Sequence, residues 1–402
     1  MGGWSRRALA WSAALGLAGL LGCADRALVS EPPPRPPDAG ILSSDDAAVV
    51  PSRSDAGAAT AGPSPDAGLP IALPVPVPVI SGTVDAVDLI ADPDGLYWLS
   101  STDELWMLPP GAPSPRRLST GGGAPPGADV GESFPGGHLA TTGTDVFWIG
   151  GQPPAVRRTS KDGASDAILA NGICSPATIA VDDVYVYWSD DANPSGDNCQ
   201  GNGIIRTLPQ TAAPGTGPIS LASVQEPQNI ATLAVQAGAL YWAAFDAPGS
   251  TVYQGAWIWT APVSVLLAGG RATSFGLTDT TYALLPIGET MYVASFEDRE
   301  TTTLAELGSN GYSFAPLSIL PTEAFVTFVA IVDQSWLAVT AVFGSNDRRL
   351  YVAPATGAGL VLAAVGLATN AVAGPTGATF VDTFGRLVAL PSTAFATLTY
   401  GD

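Results

Sequence analysis

The chain has 402 residues, 46% apolar and only 13% charged, a composition that supports a large core and excludes a wholly disordered protein. Its formal net charge is −20, with Lys161 the single lysine. Such a charge repels phosphate backbones and anionic headgroups, so nucleic acid and direct membrane-surface binding are excluded as partners.

In chain order, the first element is an export signal, residues 1–22. Arg6 and Arg7 form its charged start, and Ala8 to Leu21 its apolar run. That run is shorter than the roughly 20 residues needed to span a bilayer. It ends Leu20-Leu21-Gly22-Cys23. This resembles the bacterial lipobox, which implies lipidation at Cys23 and makes the membrane contact one through the lipid anchor alone. Loss of Arg6 and Arg7 brings the charge to −22. Ser5-Arg6-Arg7 also matches part of a twin-Arg signal. Ala24, rather than Asp, follows the cysteine. By resemblance to enterobacterial sorting this places the protein at the outer membrane of a Gram-negative-type envelope.

Residues 23–70 are rich in Pro, Ala, Ser, Asp and Gly, and Asp-Ala-Gly recurs at Asp38, Asp55 and Asp66. With so few large apolar groups this stretch cannot form a core and reads as a disordered tether. Residues 71–83 differ. Pro74, Pro76 and Pro78 alternate with Val75, Val77 and Val79. Proline cannot donate to a ladder, so the segment is expected to be extended and at a sheet edge, where it would cover an outer strand.

From residue 84 to residue 402 a repeat takes over. Its centres are Tyr97, Phe147, Tyr187, Tyr241, Tyr292, Trp336 and Phe380, spaced by a mean of about 47 residues. Tryptophan follows four of them, at Trp98, Trp148, Trp188 and Trp242. An apolar strand precedes each centre by about ten residues, and third and fourth apolar pieces follow it. Four short strands per repeat, with turn residues between, predict an all-β fold, a β-propeller of seven blades, with six or eight as alternatives. No helical periodicity is visible after the signal. The recurring aromatics are expected to fill the spaces between blades.

The strongest repeat is Tyr187-Trp188-Ser189-Asp190, followed by Ile205-Arg206. It resembles the YWTD class of propeller repeat, and the chain as a whole is similar to exported bacterial lipoproteins with YWTD-like or NHL-like propellers. The resemblance implies the fold and carries no receptor function, since Asp follows the Trp pair in one repeat only.

Cys174 and Cys199 remain once Cys23 is lipidated. An even pair in an oxidising compartment predicts a disulfide. Asp191, Asn193, Ser195 and Gly196 have EF-hand-like spacing, and Asp197 adjoins them. Asn202 stands where the bidentate Glu belongs, so the reading is a solvated turn, with calcium the weaker alternative and no metal or other cofactor expected. His138 is the only histidine, which excludes His-based metal clusters and any mechanism needing two imidazoles. No Gly-x-Ser-x-Gly elbow is present.

Two functions stay open. The first is a monomeric module that binds an envelope protein or glycan. Its face would carry His138, Asp190, Asp191, Asp197, Phe245 and Tyr253, partly on two long loops after the third and fourth aromatic strands. The second is a lyase or glycan-acting hydrolase, with acids such as Glu297 and Asp298 at the channel mouth.

Overall fold

The computed structural model describes residues 74–121, 138–151, 153–174, 176, 178–192, 202–223, 228–246, 257–276, 280–287, 290–297, 301–307, 314–320, 324–332, 335–342, 348–354, 361–368, 371–374 and 377–395. Among them the strands form seven four-stranded antiparallel sheets. The first sheet is Asp88–Asp92, Gly95–Leu99, Leu105–Leu108 and Arg116–Ser119. The second is Leu139–Thr141, Asp145–Gly150, Ala155–Ser160 and Asp166–Asn171. The third is Ile179–Val181, Tyr185–Ala192, Asn202–Pro209 and Ile219–Ser223. The fourth, fifth and sixth follow the same order between residues 228 and 367. First strands lie side by side from sheet to sheet, and the first strand of the seventh sheet lies beside that of the first sheet. The architecture is a β-propeller.

The repeat's aromatics explain why neighbouring sheets pack. Successive side chains of a strand point to opposite faces. Each aromatic pair on a second strand therefore feeds two different cores. Trp148 joins Tyr97 and Leu105 between the first and second sheets, while Phe147 joins Val186 and Trp188 between the second and third. Tyr187 and Trp242 meet in the next core. Trp98 packs with Val372, Val381 and Leu387 of the seventh sheet.

A second regularity lies across the second strands of the first four sheets. Trp98 pairs with Trp106, Trp148 with Arg157, Trp188 with Arg206, and Trp242 with Trp259. A flat group thus stands opposite each of these four indoles. Trp98 and Trp106 stack at 6.4 Å, as do Trp242 and Trp259, and the Arg157 guanidinium lies 4.9 Å from the Trp148 ring. In the first three sheets a β-bulge between third and fourth strands falls just before that partner, which increases the twist of the outer strand.

The seventh sheet differs from the sequence expectation of four local pieces per repeat. Its strands are Val372–Gly374, Gly377–Val381, Leu387–Pro391 and, outermost, Val77–Pro78. Val77 pairs with Ala389, and the Val79 N–H donates to the Leu387 carbonyl at 2.9 Å. Backbone groups of alternate residues point to opposite sides of a strand. The valines therefore face the sheet's ladder and Pro76 and Pro78 face outward. The free edge has no N–H at the proline positions, which blunts edge-to-edge pairing. Ile80 then buries itself in the core shared with the first sheet. Two one-turn helices, Val263–Leu267 and Ser392–Phe395, were not visible in the periodicity because they are too short to show one.

Candidate functional site

Connections between sheets, and between second and third strands, emerge on one face, here called the entry face. The remaining turns form the opposite face. The outermost strand Val77–Pro78 runs antiparallel to Leu387–Pro391 and so enters from the opposite face. The chain preceding it leaves the sheet on that side.

At the mouth of the ring on the entry face, Asp88 begins the first strand of the first sheet and His138 immediately precedes that of the second. Asp88 accepts the His138 backbone N–H at 2.6 Å and that of Leu89 at 2.8 Å. Burial pushes the Asp88 carboxyl above its ordinary range, and the charges of His138 and Arg348 pull against that shift. Arg348 comes from the sixth sheet and donates to the Ala368 carbonyl at 3.3 Å.

Between the first and second sheets the entry face holds a closed polar junction. Asp103, in the turn after Gly95–Leu99, is only 2% exposed and has φ of +64°. The Gly151 backbone N–H donates to it. A Cβ at Gly121 or Gly150 would collide with Asp103, so glycine is required at both for this close approach. Burial pushes the Asp103 carboxyl up to about 6 despite the attraction of Arg157. Its Oδ2 has no hydrogen-bond partner. Arg157 donates to the Gly121 carbonyl at 2.6 Å and pairs with Asp166 at 2.8 Å. Asp166 also accepts from Ser119 and Thr159, and Thr159 takes the Trp148 indole N–H at 3.0 Å.

Asp190 of the sequence-derived set is 4% exposed. It accepts the Cys174 N–H at 2.7 Å and pairs with Arg206 at 2.6 Å. It therefore fixes the third sheet's entry side from within. Asp191 and Phe245 stand next to last in their strands, opposite Gly203 and Asn229. Glu297 ends its strand, opposite Thr301. Cys23, Asn193, Ser195, Gly196, Asp197, Cys199, Tyr253 and Asp298 lie outside the described residues.

Sequence reasoning passed over the seventh sheet's turn between second and third strands. Phe384 there is 74% exposed. Asp382 accepts the N–H groups of Phe384 and Arg386, each at 2.9 Å, and its other oxygen holds the Arg386 guanidinium at 2.6 Å. Burial pushes the Asp382 carboxyl up, but these bonds outweigh it and hold it below the usual range. The guanidinium lies 5.1 Å from the Phe384 ring. Val84 donates to the Gly385 carbonyl at 2.6 Å and wedges the turn in place. Asp-Thr-Phe-Gly-Arg carried the signal, since an aromatic between turn residues has no core to fill.

On the opposite face Lys161 reaches across the same sheet boundary as Asp103. Its ammonium bridges Asp92 at 2.6 Å and Asp94 at 2.7 Å, and lies 5.6 Å from the Tyr97 ring. Burial pushes the Tyr97 hydroxyl up to about 12, with Asp92 adding to the shift and Lys161 opposing it.

No family model and no curated protein matches this sequence. Solved structures are similar in fold. YCF48 bound to D1 peptide has a TM-score of 0.51 at 12% identity, covering 81% of this chain and 97% of that one. The hydrazine synthase of Kuenenia stuttgartiensis has a TM-score of 0.51 at 11% identity, covering 79% and 98%. A prolyl endopeptidase has a TM-score of 0.51 at 11% identity, covering 77% of this chain but 50% of its own. The chain thus spans about half the length of the peptidase it matches. These likenesses bear on the fold alone.

Proposed function

We propose that this is a lipid-anchored envelope protein, exported by residues 1–22, lipidated at Cys23, and presenting a monomeric seven-bladed propeller that binds a protein or glycan through its entry face. The observation that favours binding over catalysis is the engagement of three acids among the described residues of that face. Asp88, Asp103 and Asp190 come from three turns and strand ends, and each is tied to a neighbouring backbone N–H. A hydrolase or lyase needs acids aimed at a reactant, whereas these hold turns in position. The similar propellers include one with a bound peptide and one in a peptidase, so the fold supports either class. Entry of the chain from the opposite face agrees with a binding face turned away from the anchored side.

The anchor is tested by Cys23→Ala, which releases the protein from the membrane fraction; a variant that fractionates like the parent overturns the anchor. A Cys174–Cys199 bridge belongs to the same proposal and is read by mass spectrometry of non-reduced peptides. The binding face is tested by shortening 193–198 and 247–256 together. This leaves Asp190 and both cysteines in place. The melting temperature stays near that of the parent while capture of the envelope partner is lost. Retention of that capture overturns the assignment of these loops.

A further inference from the structure

Phe384 is hard to explain by folding. It is 74% exposed, yet the turn that carries it is held from several directions. Asp382 caps the N–H groups of Phe384 and Arg386, the Gly385 N–H donates to the Asp382 carbonyl at 2.9 Å, and the Asp382 N–H returns to Arg386 at 3.0 Å. The Arg386 guanidinium backs the ring at 5.1 Å and is itself fixed by Asp382 at 2.6 Å. A Cβ added at Gly385 would meet Thr83 and Val84 at van der Waals distance, so the turn runs close beside that connection. A rigid ring that covers nothing contributes little to stability. It loses little rotamer freedom on being covered by a partner, and this is the character of an aromatic anchor in an interface.

The ring's shape suits a protein pocket, and the charge selects the class of partner. Phe384 stands at the tip of a tight turn and is convex. A convex ring can enter a pocket in another folded surface. The chain carries −20, and Asp85 lies on the connection that also contains Val84. A surface of opposite charge gains from that field, as a neutral glycan does not.

We propose that Phe384 is the anchor by which the entry face docks a basic envelope protein, with Arg386 and Asp382 as the residues that position it. This rests on the reading of the entry face as the binding surface.

The test places a photoreactive benzoyl-phenylalanine at position 384, at Tyr253 and, on the opposite face, at Val184 in the full-length anchored protein in its own cells. Val184 is exposed and lies in the turn before Tyr185. The expected result is a protease-sensitive adduct at 384, absent at 184, with one other protein. That protein, once purified, binds Phe384→Ala at least tenfold more weakly than the parent, and its binding to the parent weakens as salt rises. Phe384→Ala keeps its fold because the ring is exposed. Adducts at Tyr253 but not at 384 overturn this inference and leave the entry-face reading standing. Adducts at neither position overturn both. An adduct with a second copy of the chain, a protease-resistant glycan adduct, or unchanged binding by Phe384→Ala overturns the assignment to a basic protein.

Discussion

Replacing Asp103 with Asn should stabilise the protein above neutral pH. The carboxyl is 2% exposed, and burial raises it to about 6. The folded state therefore holds its proton at pH values where the unfolded chain, near 3.9, has lost it. The group's contribution to stability is complete below about pH 4 and is lost as pH rises through about 6. Holding the ionised form in the folded state then costs about 3 kcal/mol, from two pH units at 1.4 kcal/mol each. Asparagine has the same shape, is never charged, can still accept the Gly151 N–H, and tolerates the +64° φ that most residues avoid. Urea unfolding of parent and Asp103→Asn at about pH 8 should show the variant more stable by up to about 3 kcal/mol, and the gap should close at about pH 4. A variant less stable than its parent at about pH 8 would refute this reasoning. It would mean that attraction between the carboxylate and Arg157 outweighs desolvation.

Three other substitutions follow from the same structure. Trp188→Ala empties a fully buried site between the second and third sheets and should cost about 3–5 kcal/mol by chemical denaturation. Lys161→Met leaves the partly buried Asp92 without its cation, while the 55% exposed Asp94 stays solvated, and should cost about 2 kcal/mol, between the values for exposed and buried pairs. A loss below about 1 kcal/mol would show that water screens the pair. Pro76→Val with Pro78→Val restores two outward N–H groups to the free edge of the seventh sheet, and size-exclusion chromatography should show concentration-dependent association that the parent lacks.

The propeller was legible in the sequence because its cause is local. A Tyr or Phe beside a Trp on the second strands of the first four sheets must feed two cores, and that demand repeats where those sheets meet their neighbours. The alternating prolines were legible for the same reason, as they exclude an interior strand. Pairing of Val77 with Ala389 was not, because no local pattern names a partner some 300 residues away. The site was harder to read. Asp190 looked like a surface acid in a polar run, and only the fold brings Cys174 and Arg206 to it. Asp103 sits in an unremarkable turn, and its burial depends on Gly121 and Gly150 from two other segments. Phe384 could have been noticed from its turn context, but its exposure depends on the wedge between Gly385 and Val84.

Assignment of the entry face, and with it every functional proposal, depends on how the ring closes. A crystal structure of residues 71–402 tests this most directly. The account predicts seven four-stranded sheets in one ring, with Val77–Pro78 outermost in the seventh and running antiparallel to Leu387–Pro391. Six or eight sheets, or a last sheet completed by any other segment, would contradict it.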